Sequence, residues 1–357
     1  MGNKILPIPD FFDAQAAQAW SYSPRADRLM AAAADFRRSE GINPSQTDLF
    51  KILLLLIDPQ LDFCHRSGAL YVGGRSGDGA VQDSLRTAQF IYRCAAQLTQ
   101  IAITGDLHSL YQCFFVEFWL LANGQPPAPH TLIGLHQDQL VNIALNGQII
   151  GPVQPNPAIT SFVFSSDYDQ LVKQMKYYVR ELKRGGKYAL YLWPHHCLEG
   201  SEGQRIVGPI QEAVLYHSFL RHSPAYNIHK GRLPLTEYYS VFGPEVGKAH
   251  DGRQLSDTDQ RVQNFLWWVN SHDAVIIAGQ ASSHCVSASV QDIAEHVQPG
   301  KLGKYYLLTD CMSPVVVPGG ADFTEAADQA LWDFEQRGMH LVQSTTPMDK
   351  WPDFPMR

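Results

Sequence analysis

Short apolar runs that end at a polar residue recur along this chain. They lie at residues 51–57, 100–104, 187–193, 273–279 and 304–309, with a shorter run at 225–228. Runs of this length that are rich in Leu, Ile, Val and Tyr are typical of strands buried on both faces of a parallel sheet. We therefore predict a parallel β-strand at each of these runs.

Segments with helical spacing of apolar residues alternate with these runs. They lie at residues 81–98, 204–222, 257–270, 286–296 and 323–337. Alternation of strands and helices is typical of an α/β fold with a doubly wound, mainly parallel sheet. That is the fold class we predict.

Two regions depart from the alternation. Residues 1–47 read as a helical N-terminal extension, with helices at 14–20 and 26–38. Residues 109–186 are aromatic at first, then rich in turn residues, then strand-like near 140–150, and end in a helix at 168–183. A connection of that length is usually a lid or a small inserted subdomain.

These regions define the domain organisation that we expect. A main domain spans residues 48–340 and contains the 109–186 insertion, while residues 341–357 form a C-terminal tail. We favour a cap beside the functional site, which a second subunit could share. The alternative is a peripheral addition that only thickens the core.

Composition and charge exclude several classes of protein. The net charge is −7 and no basic block is present, which argues against a nucleic-acid-binding protein. The strongly apolar run at 52–57 is too short to span a bilayer, and the N-terminus lacks the apolar core of a secretory signal. The six cysteines are scattered without a C-x-x-C pair, as in a reducing compartment. We expect a cytoplasmic protein without nucleic-acid or membrane partners.

Reactive side chains follow the predicted strands. Ligands of parallel sheets bind outside the carboxyl ends of the strands, so residues that follow different strands can meet there. The residues concerned are Asp58, Asp106, His108, His195, His196, Lys230 and Cys285. The pattern predicts one site that contains a carboxylate, histidines, a lysine and a thiol.

Cys285 is placed to act as a nucleophile. It lies where the turn after a strand enters a helix, so the helix N-terminus and a neighbouring Lys230 would favour its thiolate. Asp58 could carry protons, and backbone N–H groups of Cys285 and of the preceding turn could stabilise an oxyanion. Taken singly, Cys285 could be a buried cysteine at a helix start, Asp58 a loop residue and Lys230 a solvated charge.

A second set of residues suits a divalent metal ion. Asp106 and His108, with either His195 or His196, offer the oxygen and nitrogen ligands that Zn²⁺, Fe²⁺ or Mn²⁺ accept. An Asp-x-His pair alone is weak evidence, because both residues are common in loops. The second histidine-bearing segment strengthens the prediction.

Several motifs together resemble the isochorismatase-like cysteine hydrolases, and within them the nicotinamidases. They occur in the family's order between about residues 50 and 340. The motifs are Leu56-Ile-Asp-Pro-Gln-Leu-Asp-Phe-Cys64 with Gly73-Gly74, Thr104-Gly-Asp-Leu-His-Ser109, Trp193-Pro-His-His-Cys-Leu-Glu-Gly200, His229-Lys-Gly231, Gly279-Gln-Ala-Ser-Ser-His-Cys-Val286 and Leu308-Thr-Asp310. The ordered set is specific, whereas any single motif is not.

The resemblance implies a three-layer αβα fold and roles for the reactive residues. The implied catalytic triad is Asp58, Lys230 and Cys285. The implied metal ligands are Asp106, His108 and His196, because the family's histidine is the second residue after Trp-Pro. The metal would be zinc, with iron or manganese as alternatives.

The resemblance also implies the substrate contacts. Phe63 and Trp193 would enclose an aromatic ring, and Tyr239 could add a wall. The N–H groups of Ala281 and Cys285 would form the oxyanion hole, with a cis peptide bond before Ala281. We also expect a homo-oligomer.

Some features depart from the family pattern. The extension and the insertion are not typical of nicotinamidases, residue 105 is glycine where the family has Arg or Lys, and Arg232 and Glu237 add polar groups near the site. The leading hypothesis is hydrolysis of a small carboxamide, with nicotinamide as first candidate. The alternative is another C–N substrate, such as a carbamoyl or ureido compound whose polar end Arg232 or Glu237 would bind.

Two other possible functions fit the sequence less well. The presence of Cys285 disfavours the vinyl-ether cleavage of isochorismatase itself, which does not use a cysteine. A binding protein on the same fold that has lost catalysis is disfavoured by the intact triad.

Overall fold

The structure is a computed structural model that describes residues 5–164, 166–255 and 260–355, without the side chains at 260, 261 and 263. Positions 257–259 of the predicted helix at 257–270 lie outside the described residues. So do positions 1–4 of the predicted extension and 356–357 of the predicted tail.

The described residues contain eleven β-strands. In chain order they are β1 (Ile52–Ile57), β2 (Gln100–Asp106), β3 (Trp119–Leu121), β4 (Leu132–His136), β5 (Gln139–Ile143), β6 (Ile149–Pro155), β7 (Leu190–Tyr191), β8 (Tyr226–Lys230), β9 (Ala274–Gly279), β10 (Tyr305–Leu308) and β11 (His340–Val342).

The same residues contain ten α-helices. In chain order they are α1 (Ala14–Ala17), α2 (Ala26–Glu40), α3 (Leu61–Cys64), α4 (Gly79–Cys94), α5 (Thr160–Val163), α6 (Tyr168–Gly185), α7 (Gly208–Arg221), α8 (Gln260–Asn270), α9 (Cys285–His296) and α10 (Thr324–Gln336).

The main sheet has six parallel strands in the order β11-β10-β9-β1-β2-β8. All residues of β1 and β9 are buried, which is why both strands are apolar without alternation. The predicted strands at 51–57, 100–104, 225–228, 273–279 and 304–309 are all present in this sheet, within a few residues at their ends. The predicted α/β fold with a mainly parallel sheet is confirmed.

One predicted strand of the main sheet is wrong. The run at 187–193 contributes only β7, which pairs antiparallel with β4 in a second sheet. The run is apolar because this strand is also buried, and burial produces the same pattern in either sheet. The parallel edge strand β11 was not predicted, and it crosses the expected boundary at residue 340.

The helices flank the main sheet in two groups. α4 packs on α7, and α9 packs on α10. From β1 the chain moves outward through β2 to β8, and then returns to β9 and continues to β10 and β11 on the other side. Because crossovers are right-handed, this reversal places α4 and α7 on one face and α8, α9 and α10 on the other. The reversal point lies between the carboxyl ends of β1 and β9.

The insertion forms a long helix and, together with β7, a second sheet. The sheet is antiparallel, in the order β3-β6-β5-β4-β7. Helix α6 begins after Asp167, whose side chain accepts a hydrogen bond from Gln170 N–H, and it ends at Gly186, which has φ of 69°. Both caps agree with the predicted helix at 168–183.

The N-terminal extension packs on its own chain. α2 lies against α7, Trp20 Nε1 donates a hydrogen bond to Glu202 at 2.6 Å, and Arg205 donates one to the carbonyl of Tyr22 at 2.8 Å. Its two predicted helices are present as α1 and α2. Among the described residues, no helix combines the length and apolar content that a membrane crossing requires.

Candidate active site

The candidate site lies at the reversal point of the main sheet. Asp58 follows β1, and the turn at 280–284 follows β9. The two strands approach closely at Gly279, which has φ of 123° and where a Cβ atom would lie 2.0 Å from the carbonyl oxygen of Ile57. Only glycine fits this position, so the close pairing that brings Asp58 to the turn depends on it.

Lys230 connects the three residues of the expected triad. Its Nζ atom lies 3.0 Å from Asp58 Oδ2 and 3.6 Å from Cys285 Sγ. It also contacts Asp106 Oδ1 at 2.5 Å and donates a hydrogen bond to the carbonyl of Tyr238 at 2.8 Å. Lys230 is the last residue of β8 and is fully buried, so the ammonium group is fixed by the sheet.

Burial and the neighbouring charges set the protonation of this cluster. Burial alone would lower the pKa of Lys230, but the carboxylates of Asp106 and Asp58 raise it well above its ordinary value. Burial raises the pKa of Asp58, and the Lys230 ammonium opposes this only in part. Lys230 therefore stays protonated, and Asp58 is a stronger base than an exposed aspartate.

The expectation of an acidic Cys285 is wrong for the free protein. Burial raises the pKa of the Cys285 thiol well above its ordinary value, although Lys230 acts in the opposite direction. The cysteine does begin α9, as expected, but the cost of desolvating a thiolate, together with the nearby carboxylates of Asp58 and Asp106, outweighs the ammonium. The resting group is a thiol that needs a base, and Asp58 is within reach.

Asp58 is oriented by Thr104 of β2. Thr104 Oγ1 donates a hydrogen bond to Asp58 Oδ1 at 2.5 Å and accepts one from the Asp58 backbone N–H at 3.1 Å. Asp58 itself has φ of 45°, a left-handed conformation that aspartate tolerates better than most residues. Thr104 thus binds Oδ1 of the Asp58 carboxylate, and Oδ2 lies beside Lys230.

The turn before Cys285 presents two backbone N–H groups to the site. The peptide bond between Gln280 and Ala281 is cis, as the family resemblance implies. Neither the Ala281 nor the Cys285 N–H has a hydrogen-bond partner within the described part of the chain. These are the groups expected to form the oxyanion hole.

A network behind the turn was not anticipated from the sequence. Asp83 on α4 accepts hydrogen bonds from Gln280 Nε2 at 2.9 Å and from Ser313 Oγ at 2.6 Å. The carbonyl of Ser313 in turn accepts a hydrogen bond from Ser282 N–H at 2.9 Å. These contacts connect the turn to α4 and to Ser313.

The expected metal ligands form one buried group. Ligand atoms of Asp106, His108 and His196 all lie within 4.8 Å of one another. His108 Nδ1 donates to the carbonyl of Gly231 at 2.9 Å, and His196 Nδ1 donates to the carbonyl of Pro194 at 2.8 Å. Each ring therefore offers Nε2, and in His108 this atom is buried without a hydrogen-bond partner in the described residues. Such backbone anchoring of the other ring nitrogen is usual for metal-binding histidines, so the residues fit a divalent ion.

The charges of this group also suit a cation. Burial would raise the pKa of Asp106, but Lys230 and His108 lower it below its ordinary value, so the carboxylate is ionised. Burial lowers the pKa of His196 to about 3. Burial would also lower the pKa of His108, but Asp106 raises it above its ordinary value. His195 lies apart, with Nε2 at 3.0 Å from Glu117 Oε2.

A small pocket opens onto both groups. The space between its lining residues, including the open mouth, is about 400 Å³. The lining residues are Phe63, Leu70, Val72, Asp106, Trp193, His196, Glu237, Tyr239, Ala281, His284, Cys285 and Val315. The three expected substrate contacts, Phe63, Trp193 and Tyr239, are all present, and Trp193 Nε1 donates a hydrogen bond to Tyr239 Oη at 3.0 Å.

Glu237 and His284 give the pocket a polar character of its own. Burial raises the pKa of Glu237 to about 8 and lowers the pKa of His284 to about 4, so both are uncharged near neutral pH. Glu237 was expected near the site, whereas His284 was not singled out in the sequence. Arg232 does not line the pocket and lies 3.7 Å from Glu199 at the surface.

Comparisons with known proteins find similarity in solved structures. No family model matches the chain, and no curated protein does. The structure of a yeast nicotinamidase is 18% identical, covers 82% of this chain and 99% of its own, and has a TM-score of 0.47. An Acinetobacter baumanii nicotinamidase/pyrazinamidase is 16% identical, with coverages of 83% and 97% and a TM-score of 0.46. A Pyrococcus horikoshii pyrazinamidase in complex with zinc is 18% identical, with coverages of 82% and 99% and a TM-score of 0.42.

Proposed function

We propose that this chain is a cysteine amidohydrolase that cleaves a small carboxamide to a carboxylic acid and ammonia. Nicotinamide is the first candidate substrate. The proposal depends above all on the buried Lys230, whose Nζ lies 3.0 Å from Asp58 and 3.6 Å from Cys285 at the base of a small pocket. A nucleophile, a base and a fixed positive charge in mutual contact are what acyl transfer requires.

The first half of the reaction forms a thioester. Asp58 accepts the Cys285 proton, and the sulfur attacks the carbonyl carbon of the amide. The N–H groups of Ala281 and Cys285 stabilise the negative oxygen of the tetrahedral intermediate. Asp58 then donates its proton to the leaving nitrogen, the C–N bond breaks, and ammonia departs.

The second half restores the enzyme. Asp58 accepts a proton from a water molecule, whose oxygen attacks the thioester carbonyl. The C–S bond breaks, the acid is released, and the proton returns to Cys285. Lys230 stays protonated throughout and stabilises whichever neighbouring group carries the negative charge.

Asp106, His108 and His196 would hold a divalent metal ion, with zinc the first candidate and iron or manganese as alternatives. When bound, such an ion acts as a Lewis acid that orients an electron-pair donor of the substrate. Asp106 and His196 themselves line the pocket. Phe63 and Trp193 supply the apolar surfaces that would enclose a ring.

A second candidate is a carbamoyl or ureido substrate, and one observation favours it. Glu237 lines the pocket in a form that is uncharged near neutral pH, since burial raises its pKa to about 8. A protonated carboxyl group can both donate and accept a hydrogen bond, which suits a ureide.

Ammonia release tests the proposal directly. We would incubate wild type, Cys285→Ala and Cys94→Ala with nicotinamide and with a panel of amides and ureides, with and without added Zn²⁺ or Mn²⁺. Cys94 is also buried but lies at the end of α4, away from the pocket, so Cys94→Ala is the matched control. We expect release by wild type and by Cys94→Ala, and a loss of at least about a thousandfold in Cys285→Ala.

The pattern across substrates decides between the candidates. Preferential release from nicotinamide supports the first, and preferential release from ureides supports the second. Undiminished turnover by Cys285→Ala would refute the thioester, and absence of turnover on the whole panel would refute the amidohydrolase.

A further inference from the structure

The loop after Lys230 supplies three successive contacts to the candidate site. Glu237 lines the pocket, the carbonyl of Tyr238 accepts a hydrogen bond from Lys230, and Tyr239 lines the pocket and holds Trp193. The loop has no strand or helix of its own between β8 and residue 255, where this described stretch of the chain ends. Something outside the loop must therefore fix the position of these three residues.

Helix α6 of the insertion makes one such contact, besides the bond from Lys230 to the Tyr238 carbonyl and the bond from Val241 N–H to Ser289 Oγ of α9. The backbone N–H of Glu237 donates a hydrogen bond to Tyr178 Oη at 2.9 Å. Tyr178 is fully buried in the middle of α6, and burial raises the pKa of its hydroxyl well above its ordinary value, so the group stays neutral. A neutral, immobile hydroxyl is a suitable anchor for a backbone N–H that would otherwise be buried without a partner.

A second contact ties the same loop to the same helix. Gln174, one turn before Tyr178 and also fully buried, accepts a hydrogen bond from His250 N–H at 2.8 Å. Gln170, a further turn back, contacts His250 Nε2 at 2.6 Å. Between these ties, Glu245 N–H donates to the carbonyl of Glu237 at 2.9 Å. Three residues on one face of α6 thus hold both ends of the loop.

We propose that the insertion positions the substrate-binding segment at 237–239 by contacting its backbone, and that Tyr178 is the positioning residue that makes this contact. This role rests on the proposed amidohydrolase function. It differs from a lid, because Tyr178 touches the backbone of the segment and does not line the pocket. An insertion that supports a specificity loop would allow the pocket to change while the main sheet stays the same.

The test compares Tyr178→Phe with Tyr177→Phe. Both variants lose one hydroxyl from adjacent positions of α6, but Tyr177 is only half-buried and makes no hydrogen bond to the described part of the loop. In Tyr178→Phe we expect KM for the amide substrate to rise about tenfold while kcat changes less than about threefold, because segment 237–239 binds the substrate. Partial unfolding would instead lower the apparent kcat at unchanged KM. Wild-type KM in Tyr178→Phe, or an equal rise in Tyr177→Phe, would overturn the proposal.

A second readout does not depend on catalysis. Amide hydrogen exchange of a peptide covering residues 232–246 should become about tenfold faster in Tyr178→Phe, with no change in peptides from β1 and β9. Unchanged exchange in that peptide would overturn the positioning role even in an active enzyme. If wild type hydrolyses no amide, the proposed function fails, and the exchange result still decides whether Tyr178 holds the segment.

Two further variants guard against a folding defect. Gln174→Met removes the hydrogen bond to His250 N–H and should also raise KM. It can therefore replace Tyr178→Phe in the test if that variant does not fold. A double-mutant cycle of Tyr178→Phe with Glu237→Gln should be non-additive, because both changes act on one segment. Strictly additive effects on KM would count against the proposal.

Discussion

Gly231 shows how a single backbone position can shape the candidate site. It directly follows Lys230 and has φ of 83°. A Cβ atom there would lie 2.5 Å from His108 Cε1 and 2.8 Å from its Nδ1. Its carbonyl is also the acceptor that orients the His108 ring. A side chain at this position would therefore strain the backbone and displace a proposed metal ligand.

We expect Gly231→Ala to lower metal affinity by at least about tenfold, because it moves the ring that His108 offers to the ion. Gly252→Ala is the matched control, since Gly252 has a similar φ of 86° but no atom within 4 Å of an added Cβ. Metal content per chain and melting temperature would be measured for both variants. Equal metal content in the two would contradict the role of Gly231.

The ligand assignment itself has a direct check. A His108→Ala, His196→Ala double variant should lose the ion that wild type is expected to hold at about one per chain. If the double variant retains that ion, Asp106, His108 and His196 are not its ligands.

At the scale of elements, the N-terminal extension contributes to the core of its own chain. Leu29 and Ala33 lie four residues apart on α2, and both are buried where α2 packs on α7. Tyr22 of the extension donates a hydrogen bond to the buried Glu212 on α7, and Tyr92 of α4 donates another at 2.9 Å. The extension, α4 and α7 thus share one packed interface.

We expect Leu29→Ala to reduce the free energy of unfolding by about 3 kcal/mol, through lost burial and the cavity that remains. Met30→Ala on the same helix should change it by less than about 0.5 kcal/mol, because Met30 is 54% exposed. Urea unfolding of the two variants measures both values. Similar small effects would mean that α2 adds little to the stability of the molecule.

At the scale of the whole molecule, buried ionisable groups outside the site should affect its stability. His217 on α7 is fully buried, and its Nε2 donates a hydrogen bond to the carbonyl of Leu98 at 2.9 Å. Its Nδ1 has no hydrogen-bond partner among the described residues. Burial lowers the pKa of His217 to about 4, so the folded protein keeps this ring neutral at pH 5 to 6.

The sign of the pH dependence follows from that shift. In the unfolded chain a histidine binds a proton near pH 6.5, whereas folded His217 does not until about pH 4. Its contribution to stability is therefore complete above pH 6.5 and is lost as the pH falls towards 4. We expect this loss to reach about 3 kcal/mol by pH 4.

Variants at position 217 isolate that contribution. In His217→Gln the free energy of unfolding should fall less between pH 7 and pH 4.5 than in wild type, as measured by urea unfolding at several pH values. The exposed His136→Gln is the control. A wild-type pH dependence in His217→Gln would show that His217 is not the cause.

Some expectations about the whole molecule stay predictions. They are the domain boundaries, the homo-oligomer and the cap role of the insertion. The described part of the extension packs on its own chain, where α2 lies against α7.

The amino-acid pattern alone was enough for five of the six strands of the main sheet and for the list of reactive residues. Strands such as β1 and β9 are buried on both faces, so they must be apolar throughout, and the polar residue at each end marks where the sheet stops. Asp58 and Cys285 were recognisable because they follow such strands. The same argument failed for residues 187–193, since a buried antiparallel strand has the same local composition.

Contacts between distant residues could be established only in three dimensions. Tyr178 and Glu237 are 59 positions apart, and Asp83 and Gln280 are 197 apart, so no local periodicity links them. The raised pKa of Cys285 likewise depends on how deeply many segments bury it, which its position at a helix start did not reveal. The local pattern of apolar and polar residues shows which side chains must be buried on folding. Their contact partners and protonation states depend on the groups that surround them in the folded protein.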